Sequence, residues 1–290
     1  ACSLNYRDFM IASGFYKTDI PLPLVPLSDC AGTIDGVGAG VTDFVSGDRV
    51  VSLLWQDWVS GPLDAKQRTR SLGCEAPGVL SEFVVLPATA VVPAPATLSD
   101  AEAACLPAAG LTAFAALTTF GQLRAGNTVL TLGTGGVSLF ALQFAKALGA
   151  KVVIPSSSDE KLARAKALGA DYTINYQQEP RWGERCFALT GGADLVIETG
   201  GAGTLAQSMA AVAYSGRIAY IGALAGMVGE ANLMPLVVKN ASIQGITVSH
   251  KQDHLRMTRF IDEHGIKPVI DRQVELAGSI AAIGAIASAQ

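Results

Sequence analysis

Two glycines, Gly133 and Gly135, follow an apolar β-rich run (Thr128–Leu132) and precede a segment with the apolar periodicity of a helix. At such a turn the first glycine permits the tight bend, and the second lets backbone approach a dinucleotide pyrophosphate at the helix N-terminus. The third place of this fingerprint, usually glycine, is Ser138. The pattern alone fits either a dinucleotide site or an ordinary strand–loop–helix turn. The residues expected at the phosphates are Gly133, Thr134, Gly135, Gly136 and Val137.

Strand and helix patterns repeat after this turn and favour the dinucleotide site. Ser158 stands where a helix N-cap belongs, and Gly169 stands where the same helix would end. Strands alternating with helices indicate a parallel, doubly wound α/β sheet. Further strands are predicted at Lys151–Ile154, Asp194–Glu198 and Gly216–Ile221, with a helix at Thr204–Ala213.

The first ninety or so residues have short alternating apolar runs with many glycines and prolines, which is an all-β pattern. It predicts strands at Asp48–Leu54 and Gly78–Leu86. Beyond His250, a helix at Asp253–His264, a strand at Lys267–Leu276 and an apolar helix are predicted. The predicted domains are residues 1–95, a nucleotide-binding domain at 96–250, and a return of residues 251–290 to the first domain.

Composition limits the partners. A chain of 290 residues can hold two domains, and a net charge of −4 leaves no basic surface for nucleic acid. The apolar stretch Ala101–Leu123 contains Glu102 and Pro107, and Ile280–Ala289 is too short to span a bilayer, so no membrane partner is expected. Five scattered cysteines without a C-x-x-C pair favour a reducing, cytoplasmic compartment.

Motifs along the chain resemble the medium-chain dehydrogenase/reductase superfamily, in its zinc-free branch of NADPH quinone oxidoreductases and enoyl reductases. The resemblance implies a GroES-like β-barrel domain beside a Rossmann domain, and a homodimer is expected. It also implies about thirty residues before the Asn5 motif and a last strand beyond Gln290, so both ends of the first domain are expected to be incomplete. Besides the glycine turn, the motifs are Ser3–Asp8, Gly32–Gly40, Gly47–Val50, Leu106–Ala113 and Ala165–Asp171.

The resemblance implies that no catalytic zinc is held. Zinc relatives use Cys, His and Cys, whereas the matching places here are Asn5, Ser28 and Ala109. The lobe that would hold a structural zinc has only Cys74. His250 and His254 have the i, i+4 spacing of a helical metal pair, but their charged stretch favours a solvated helix face.

The end of the second predicted strand bears on which dinucleotide binds. NAD-specific sites usually place an acid there, but this strand ends in serines, which can donate to a phosphate. The resemblance matches Lys161 and Tyr176 to 2′-phosphate contacts; the alternative is a solvated lysine and a packed tyrosine. Asp159 or Glu160 could still reach a ribose hydroxyl. NADPH is therefore the expected cofactor, with its 2′-phosphate at Ser156, Ser157, Lys161 and Tyr176.

Without a Lewis acid, hydride addition to an activated alkene or quinone is easier than oxidation of a simple alcohol. A small apolar conjugated carbonyl or quinone is the expected substrate. The resemblance implies that Asn5, Asp8 and Tyr16 lie near the active-site cleft, with Tyr16 the first candidate for hydrogen-bond donor or proton source. The alternative is that Asn5 and Asp8 bond the local turn and Tyr16 packs.

Several residues carry weaker expectations. Trp55 and Trp58 could line a substrate pocket or pack in a core, and Cys30 lacks a basic neighbour, so it is not expected to be a nucleophile. A zinc-free carbonyl or alcohol oxidoreductase, and a catalytically silent crystallin-like NADPH-binding protein, remain alternative functions. Further cofactor contacts are expected from Thr112, Gly200, Gly222 and Ala223.

Overall fold

The chain forms two compact units. The structure is a computed structural model that describes residues 1–17 and 19–286. Unit 1 comprises Ala1–Leu111 and Val248–Gln290, and unit 2 comprises Thr112–Thr247. Within the two described ranges, no helix combines the length and the apolar composition needed to cross a bilayer.

Strands and helices are numbered in chain order. The strands are β1 (Cys2–Ser3), β2 (Asp29–Thr33), β3 (Arg49–Ser52), β4 (Val91–Pro93), β5 (Thr128–Thr131), β6 (Lys151–Ser156), β7 (Tyr172–Asn175), β8 (Ala193–Glu198), β9 (Val212–Tyr220) and β10 (Ser242–Gly245). The α-helices are α1 (Tyr6–Ala12), α2 (Asp100–Ala103), α3 (Leu111–Ala115), α4 (Gly136–Ala147), α5 (Asp159–Ala167), α6 (Trp182–Thr190), α7 (Leu205–Ala211), α8 (Met234–Lys239), α9 (Lys251–His264) and α10 (Ser279–Ile286). Leu106–Gly110 and Ala116–Phe120 form π-helical turns.

Unit 1 is built on an antiparallel sheet with the order β1-β2-β3-β4. Ala31, Val51 and Val92 are neighbours across three strands and are all buried, as expected where one face of a pleated sheet covers a core. Helix α9 joins this unit through the Asp262 carboxylate, which accepts hydrogen bonds from the Thr97 and Ala96 N–H groups. This is the GroES-like domain.

Two predicted strands of unit 1 are wrong. Residues 78–86 are irregular, and their backbone bonds run to residues 25–27, where Pro26 has no N–H with which to extend a ladder. Residues 267–275 are also irregular, and Pro268 removes a donor at the start of that segment. In both segments several apolar side chains are exposed, with Val85 fully accessible and Val269 about half so.

Unit 2 contains a six-stranded parallel sheet with the order β10-β9-β8-β5-β6-β7. Neighbouring residues on its central strands, such as Val129, Val152 and Leu195, are fully or almost fully buried, as expected for strands covered by helices on both faces. The predicted helix signals are confirmed: the Ser158 hydroxyl accepts from the Lys161 N–H at the start of α5, and Gly169 (φ +105°) follows its end. The doubly wound sheet is therefore confirmed.

The strand order fixes where a ligand would meet this sheet. From β5 the chain goes to β6 and β7 on one side, and then to β8, β9 and β10 on the other. Ligands of doubly wound sheets bind outside the carboxyl ends of the strands where this order reverses. The loops after β5 and β8 flank that switch point.

Candidate cofactor and substrate sites

The glycine turn lies at the carboxyl end of β5. Gly133 has φ +70°, in the left-handed region that favours glycine. Gly135 is the N-cap of α4 with φ −77° and ψ 175°, which any residue can adopt, and a Cβ added there has no atom within 4 Å. Neither backbone conformation nor packing requires glycine at 135. Close approach of a ligand to the backbone does explain it, so these residues fit a dinucleotide pyrophosphate.

The departure from the glycine fingerprint has a local explanation. The Ser138 hydroxyl donates to the Leu132 carbonyl oxygen at 2.5 Å, and the side chain is buried between strand and helix. A hydroxyl that satisfies the carbonyl of the residue directly after β5 therefore replaces the close packing that glycine usually provides. Gly136 and its neighbours at the start of α4 receive no side-chain cap within the described ranges.

The end of β6 is a polar corner formed with β7. Asn175 lies opposite Ser156 in register, and the Tyr176 N–H donates to the Ser156 carbonyl oxygen at 3.1 Å. The Asp159 carboxylate accepts from the side-chain amides of Asn175 and Gln178 at 2.6 and 3.3 Å. One acid that could have met a ribose hydroxyl is therefore already hydrogen bonded.

Two positively charged side chains lie at this corner, and only one of them is in an ion pair with another described residue. Glu160 pairs with Arg164 at 2.7 Å on the exposed face of α5. Lys161 is exposed, and in the described part of the chain its ammonium group has no hydrogen bond or ion pair. Ser157 and Tyr176 are exposed as well, whereas Ser156 is buried. The predicted 2′-phosphate residues thus lie on neighbouring elements, with one free positive charge among them.

The loops after β8 and β9 pack against one another. A Cβ at Gly222 would lie 2.2 Å from the Thr199 carbonyl oxygen, and one at Gly201 would lie 2.5 Å from the Gly226 oxygen. The Ala225 N–H donates to Gly200 O at 2.6 Å. These glycines are required by loop packing, so their residue type is no independent sign of a cofactor. Contacts of Gly200, Gly222 and Ala223 with the cofactor remain predictions, as does that of Thr112, which is buried in α3.

Asp8 is a buried acid of unit 1 with a strongly raised pKa. Its carboxylate accepts from the Asn5 N–H at 2.8 Å, at the start of α1. Burial raises the pKa of Asp8 to about 7; nearby Asp29 acts in the same direction and Arg7 opposes it. Asp8 Oδ1 is buried and has no hydrogen-bond partner among the described residues. The pair bonds the local turn, and the Asn5 side chain also faces the buried Asp29 carboxyl, whose pKa it lowers by hydrogen bonding against the effect of burial.

Arg7 connects the predicted catalytic residues and was not itself predicted from the sequence. Its guanidinium donates to Leu72 O at 3.1 Å and to the Ser71 hydroxyl at 2.8 Å. The guanidinium carbon lies 5.2 Å from the centre of the Tyr16 ring and one nitrogen lies 4.0 Å from Asp8 Oδ1. Its place in the Ser3–Asp8 motif is the only signal that could have pointed to it. Asn5, Asp8 and Tyr16 are therefore grouped around Arg7.

The places that would hold a catalytic zinc lie around Asp29. The Ser28 hydroxyl donates to Asp29 Oδ1 at 2.6 Å, and the N–H of Ala108, beside Ala109, donates to Oδ2 at 2.8 Å. Burial raises the pKa of Asp29. Asn5, Ser28 and Ala109 offer an amide, a hydroxyl and a methyl group, and residues 1–17 and 19–286 hold no metal-competent cluster of three His, Cys, Asp or Glu. This donor set does not fit zinc.

The histidine prediction is wrong. His250 is the N-cap of α9, its Nδ1 accepts the Asp253 N–H at 3.1 Å, and its ring packs edge-on against Trp58. His254 is fully buried, and burial lowers its pKa to about 4. Asp253, charged and next to His254 in the chain, is fully buried as well, so the charge of this stretch did not report its exposure. The predicted solvated face is therefore wrong for His254, and His250 is half-buried.

Trp55 and Trp58 are buried together in an apolar cluster with Leu54. This arrangement matches the core-packing alternative, although the Trp55 indole nitrogen has no hydrogen-bond partner in the part of the chain that the structure describes. Cys30 is a half-buried strand residue, and burial raises its pKa to about 11. A thiol that stays protonated is a poor nucleophile.

The doubly wound sheet with its glycine turn, joined to a GroES-like unit, defines an NAD(P)H-dependent oxidoreductase. Residues 1–96 match the alcohol dehydrogenase GroES-like domain, and residues 136–263 match the zinc-binding dehydrogenase family. The chain belongs to the medium-chain dehydrogenase/reductase superfamily. This confirms the family predicted from its motifs.

Three relatives illustrate the range of the superfamily. A zinc-type alcohol dehydrogenase-like protein of Schizosaccharomyces pombe is 44% identical over 94% of this chain and 81% of its own length. Acryloyl-coenzyme A reductase of Sulfurisphaera tokodaii is 30% identical over 94% of this chain and 83% of its own. The crystal structure of an NAD-dependent alcohol dehydrogenase is 34% identical, with a TM-score of 0.89 over 99% of this chain and 86% of its own.

Proposed function

We propose that this protein is a zinc-independent, NADPH-dependent reductase that transfers hydride to an activated C=C bond or a quinone. The donor set around Asp29 carries the proposal, because it lacks every zinc ligand that an alcohol dehydrogenase needs to stabilise an alkoxide. A relative named acryloyl-coenzyme A reductase, 30% identical, supports a conjugated acceptor.

The cofactor would be held by unit 2. Backbone at Gly133–Val137 would take the pyrophosphate, and the corner of Ser156, Ser157, Lys161 and Tyr176 would take the 2′-phosphate. The free ammonium of Lys161 favours a phosphate with nearly two negative charges. When bound, NADPH supplies the hydride. The Asp159 carboxylate is already hydrogen bonded to Asn175 and Gln178, which reduces its pull on a ribose hydroxyl and so is consistent with the proposed preference for NADPH.

Side chains of unit 1 would stabilise the negative charge that develops on the acceptor and donate a proton to it. Hydride addition to a conjugated acceptor leaves negative charge on its oxygen, which hydrogen-bond donors can stabilise. The Tyr16 hydroxyl and the Asn5 side-chain amide are such donors, and the Arg7 guanidinium beside Tyr16 adds positive charge. Asp8, whose pKa is raised to about 7, would exchange a proton near neutral pH.

We also propose that two chains associate through unit 2. Strand β10 is an exposed sheet edge, and apolar side chains near it are exposed to solvent. An exposed edge next to an apolar surface is a pairing site unless something covers it. The exposed apolar residues are Val228, Leu233, Val237, Val238 and Ile243. Five free cysteines support a reducing, cytoplasmic compartment.

Consumption of NADPH with a substrate panel tests the function. The panel contains 1,4-benzoquinone, a simple enone, an enoyl thioester and a simple aldehyde, and absorbance of NADPH is followed with and without chelator. We expect reduction of at least one conjugated acceptor, unchanged by chelator. Turnover of the aldehyde alone would favour the carbonyl oxidoreductase. Tight NADPH binding without any turnover would favour the silent binding protein.

A further inference from the structure

Glu198, the last residue of β8, is a wholly buried carboxylate held by four donors. Its Oε1 accepts from the N–H groups of Gly200 and Gly201 at 2.7 and 3.0 Å and from the Thr204 hydroxyl at 2.7 Å. Its Oε2 accepts from the Ser208 hydroxyl on α7. In the described ranges it forms no ion pair. A buried carboxylate without a cation depends on these hydrogen bonds, so removing one is costly.

Three of these four bonds shape one loop, residues 199–204, and the fourth ties the carboxylate to α7. The loop is joined to the glycine turn through the Thr199 hydroxyl, which donates to the Leu132 carbonyl oxygen at 3.1 Å. It is joined to the loop after β9 because the Ala202 N–H donates to Gly226 O at 3.0 Å. The carboxylate therefore fixes backbone that contacts the loops after both β5 and β9.

This loop stands at the switch point of the sheet, on the β8 side. The 2′-phosphate corner lies on the other side of β5, at the ends of β6 and β7. A dinucleotide that crosses the switch point has its adenosine half beside β6, so its nicotinamide half meets the loops after β8 and β9. Those loops include Gly200, Gly222 and Ala223.

We propose that Glu198 is a positioning residue that holds loop 199–204 in the form that receives the nicotinamide half of the cofactor. This inference rests on the proposed function. Glu198 acts through Gly200, Gly201 and Thr204, because every hydrogen bond of its carboxylate goes to the protein. Its loss should weaken binding of the whole dinucleotide and leave binding of the adenosine half unchanged.

The test compares NADPH with adenosine 2′,5′-bisphosphate, measured by isothermal titration calorimetry. Glu198→Gln removes the charge, and Thr204→Val removes one donor with little change in shape. Asp194→Asn is the matched control: it lies on the same strand, and its carboxylate bonds the Thr128 N–H at the opposite end. We expect both test variants to bind NADPH at least tenfold more weakly and the bisphosphate within twofold of the parent. The control should bind both like the parent.

Different outcomes of this experiment would contradict the role of Glu198 and the proposed function. If the parent binds both ligands and the two variants do so equally well, Glu198 does not position the loop. Equal weakening of both ligands in Thr204→Val would show a general structural role and overturn the inference. A parent protein that binds neither ligand contradicts the proposed function itself, and the inference falls with it.

Discussion

The guanidinium of Arg7 lies 5.2 Å above the ring of Tyr16, a distance typical of a cation–π contact. Arg7 is anchored by Leu72 and Ser71, and Ser71 in turn donates to Glu75, which pairs with Lys17 at 3.5 Å. Tyr16 itself is partly exposed. The Tyr16 ring is thus in contact with a guanidinium that is itself anchored by hydrogen bonds.

Replacement of Tyr16 by Phe should lower the rate of reduction by about 10², because one donor to the developing oxyanion is lost. NADPH affinity should be preserved. Steady-state kinetics with the best acceptor of the panel measure the effect, and Asn5→Ala should act in the same direction. Tyr214→Phe, an exposed tyrosine of unit 2, is the control. Unaltered kinetics in Tyr16→Phe would remove this tyrosine from the mechanism.

The free ammonium of Lys161 should determine cofactor preference. The parent should bind NADPH about tenfold or more tightly than NADH, and Lys161→Ala should lose most of that difference, since a charge-assisted hydrogen bond contributes roughly 1.5 to 3 kcal/mol. Dissociation constants for both cofactors measure it. Lys151→Ala, at the opposite end of β6, is the control. Equal affinities of the parent for both cofactors would contradict the prediction.

Asp8 should make stability depend on pH. Its pKa is raised from 3.8 to about 7 in the folded protein. At pH values between these two pKa values, the folded state therefore binds more protons than the unfolded state. The resulting stabilisation is full below about pH 4 and is lost as pH rises through 7, with a total of at most about 4 kcal/mol. Urea unfolding between pH 4 and 8 measures the slope. Asp8→Asn should flatten it, and exposed Asp35→Asn should not.

A slope that is the same in the parent and in Asp8→Asn would contradict the raised pKa. Nearby Asp29, whose pKa is also raised by burial, would then be the group to vary next. Arg7 must be kept intact in this series, since its charge opposes the shift of both carboxyls.

Zinc should be absent from the purified protein, well below one atom per chain by elemental analysis. The amide, hydroxyl and methyl groups of Asn5, Ser28 and Ala109 cannot replace Cys, His and Cys. A triple variant, N5C/S28H/A109C, should gain tightly bound zinc if the three side chains meet beside Asp29, which Ser28 and the neighbour of Ala109 contact directly. Stoichiometric zinc in the parent would overturn the zinc-independent proposal.

The edge strand β10 should carry the dimer. Analytical ultracentrifugation should give twice the mass of one chain, and Ile243→Asp should shift it to the monomer, because a charge is placed on an apolar interface. Val85→Asp, at a fully exposed apolar residue of unit 1, is the control. A parent monomer at micromolar concentration would exclude this interface.

The sequence predicted best those features that depend only on neighbouring residues in the chain. The doubly wound sheet, the cap at Ser158 and the end of α5 at Gly169 follow from periodicity and local hydrogen bonding. The strand predictions for 78–86 and 267–276 were wrong because a strand needs a neighbouring strand with free backbone donors. The alternation of apolar and polar residues carries no information about such a partner. Burial of His254 was missed because charged neighbours were taken as a sign of exposure, whereas the adjacent Asp253 is itself fully buried.

The candidate site was predicted unevenly for the same reason. Asn5 and Asp8 lie in one motif and Tyr16 follows from the family resemblance, but Arg7 and Asp29 became visible only through contacts with residues far along the chain. Glu198 looked like an ordinary strand residue, since its four donors are arranged by a loop conformation that no local pattern specifies. Cofactor contacts of Gly200 and Gly222 stay predictions, and their tight packing is a separate reason for their residue type.

The interlocked loops after β8 and β9 have a consequence for how this enzyme can diversify. A side chain at Gly201 or Gly222 meets backbone within 2.5 Å, so the loops proposed to receive the nicotinamide half admit little variation. Ser157, Lys161 and Tyr176 are exposed and can be exchanged without disturbing the core. Under the proposed function, cofactor preference could therefore be redesigned at these exposed positions while the packing of the loops after β8 and β9 stays constant.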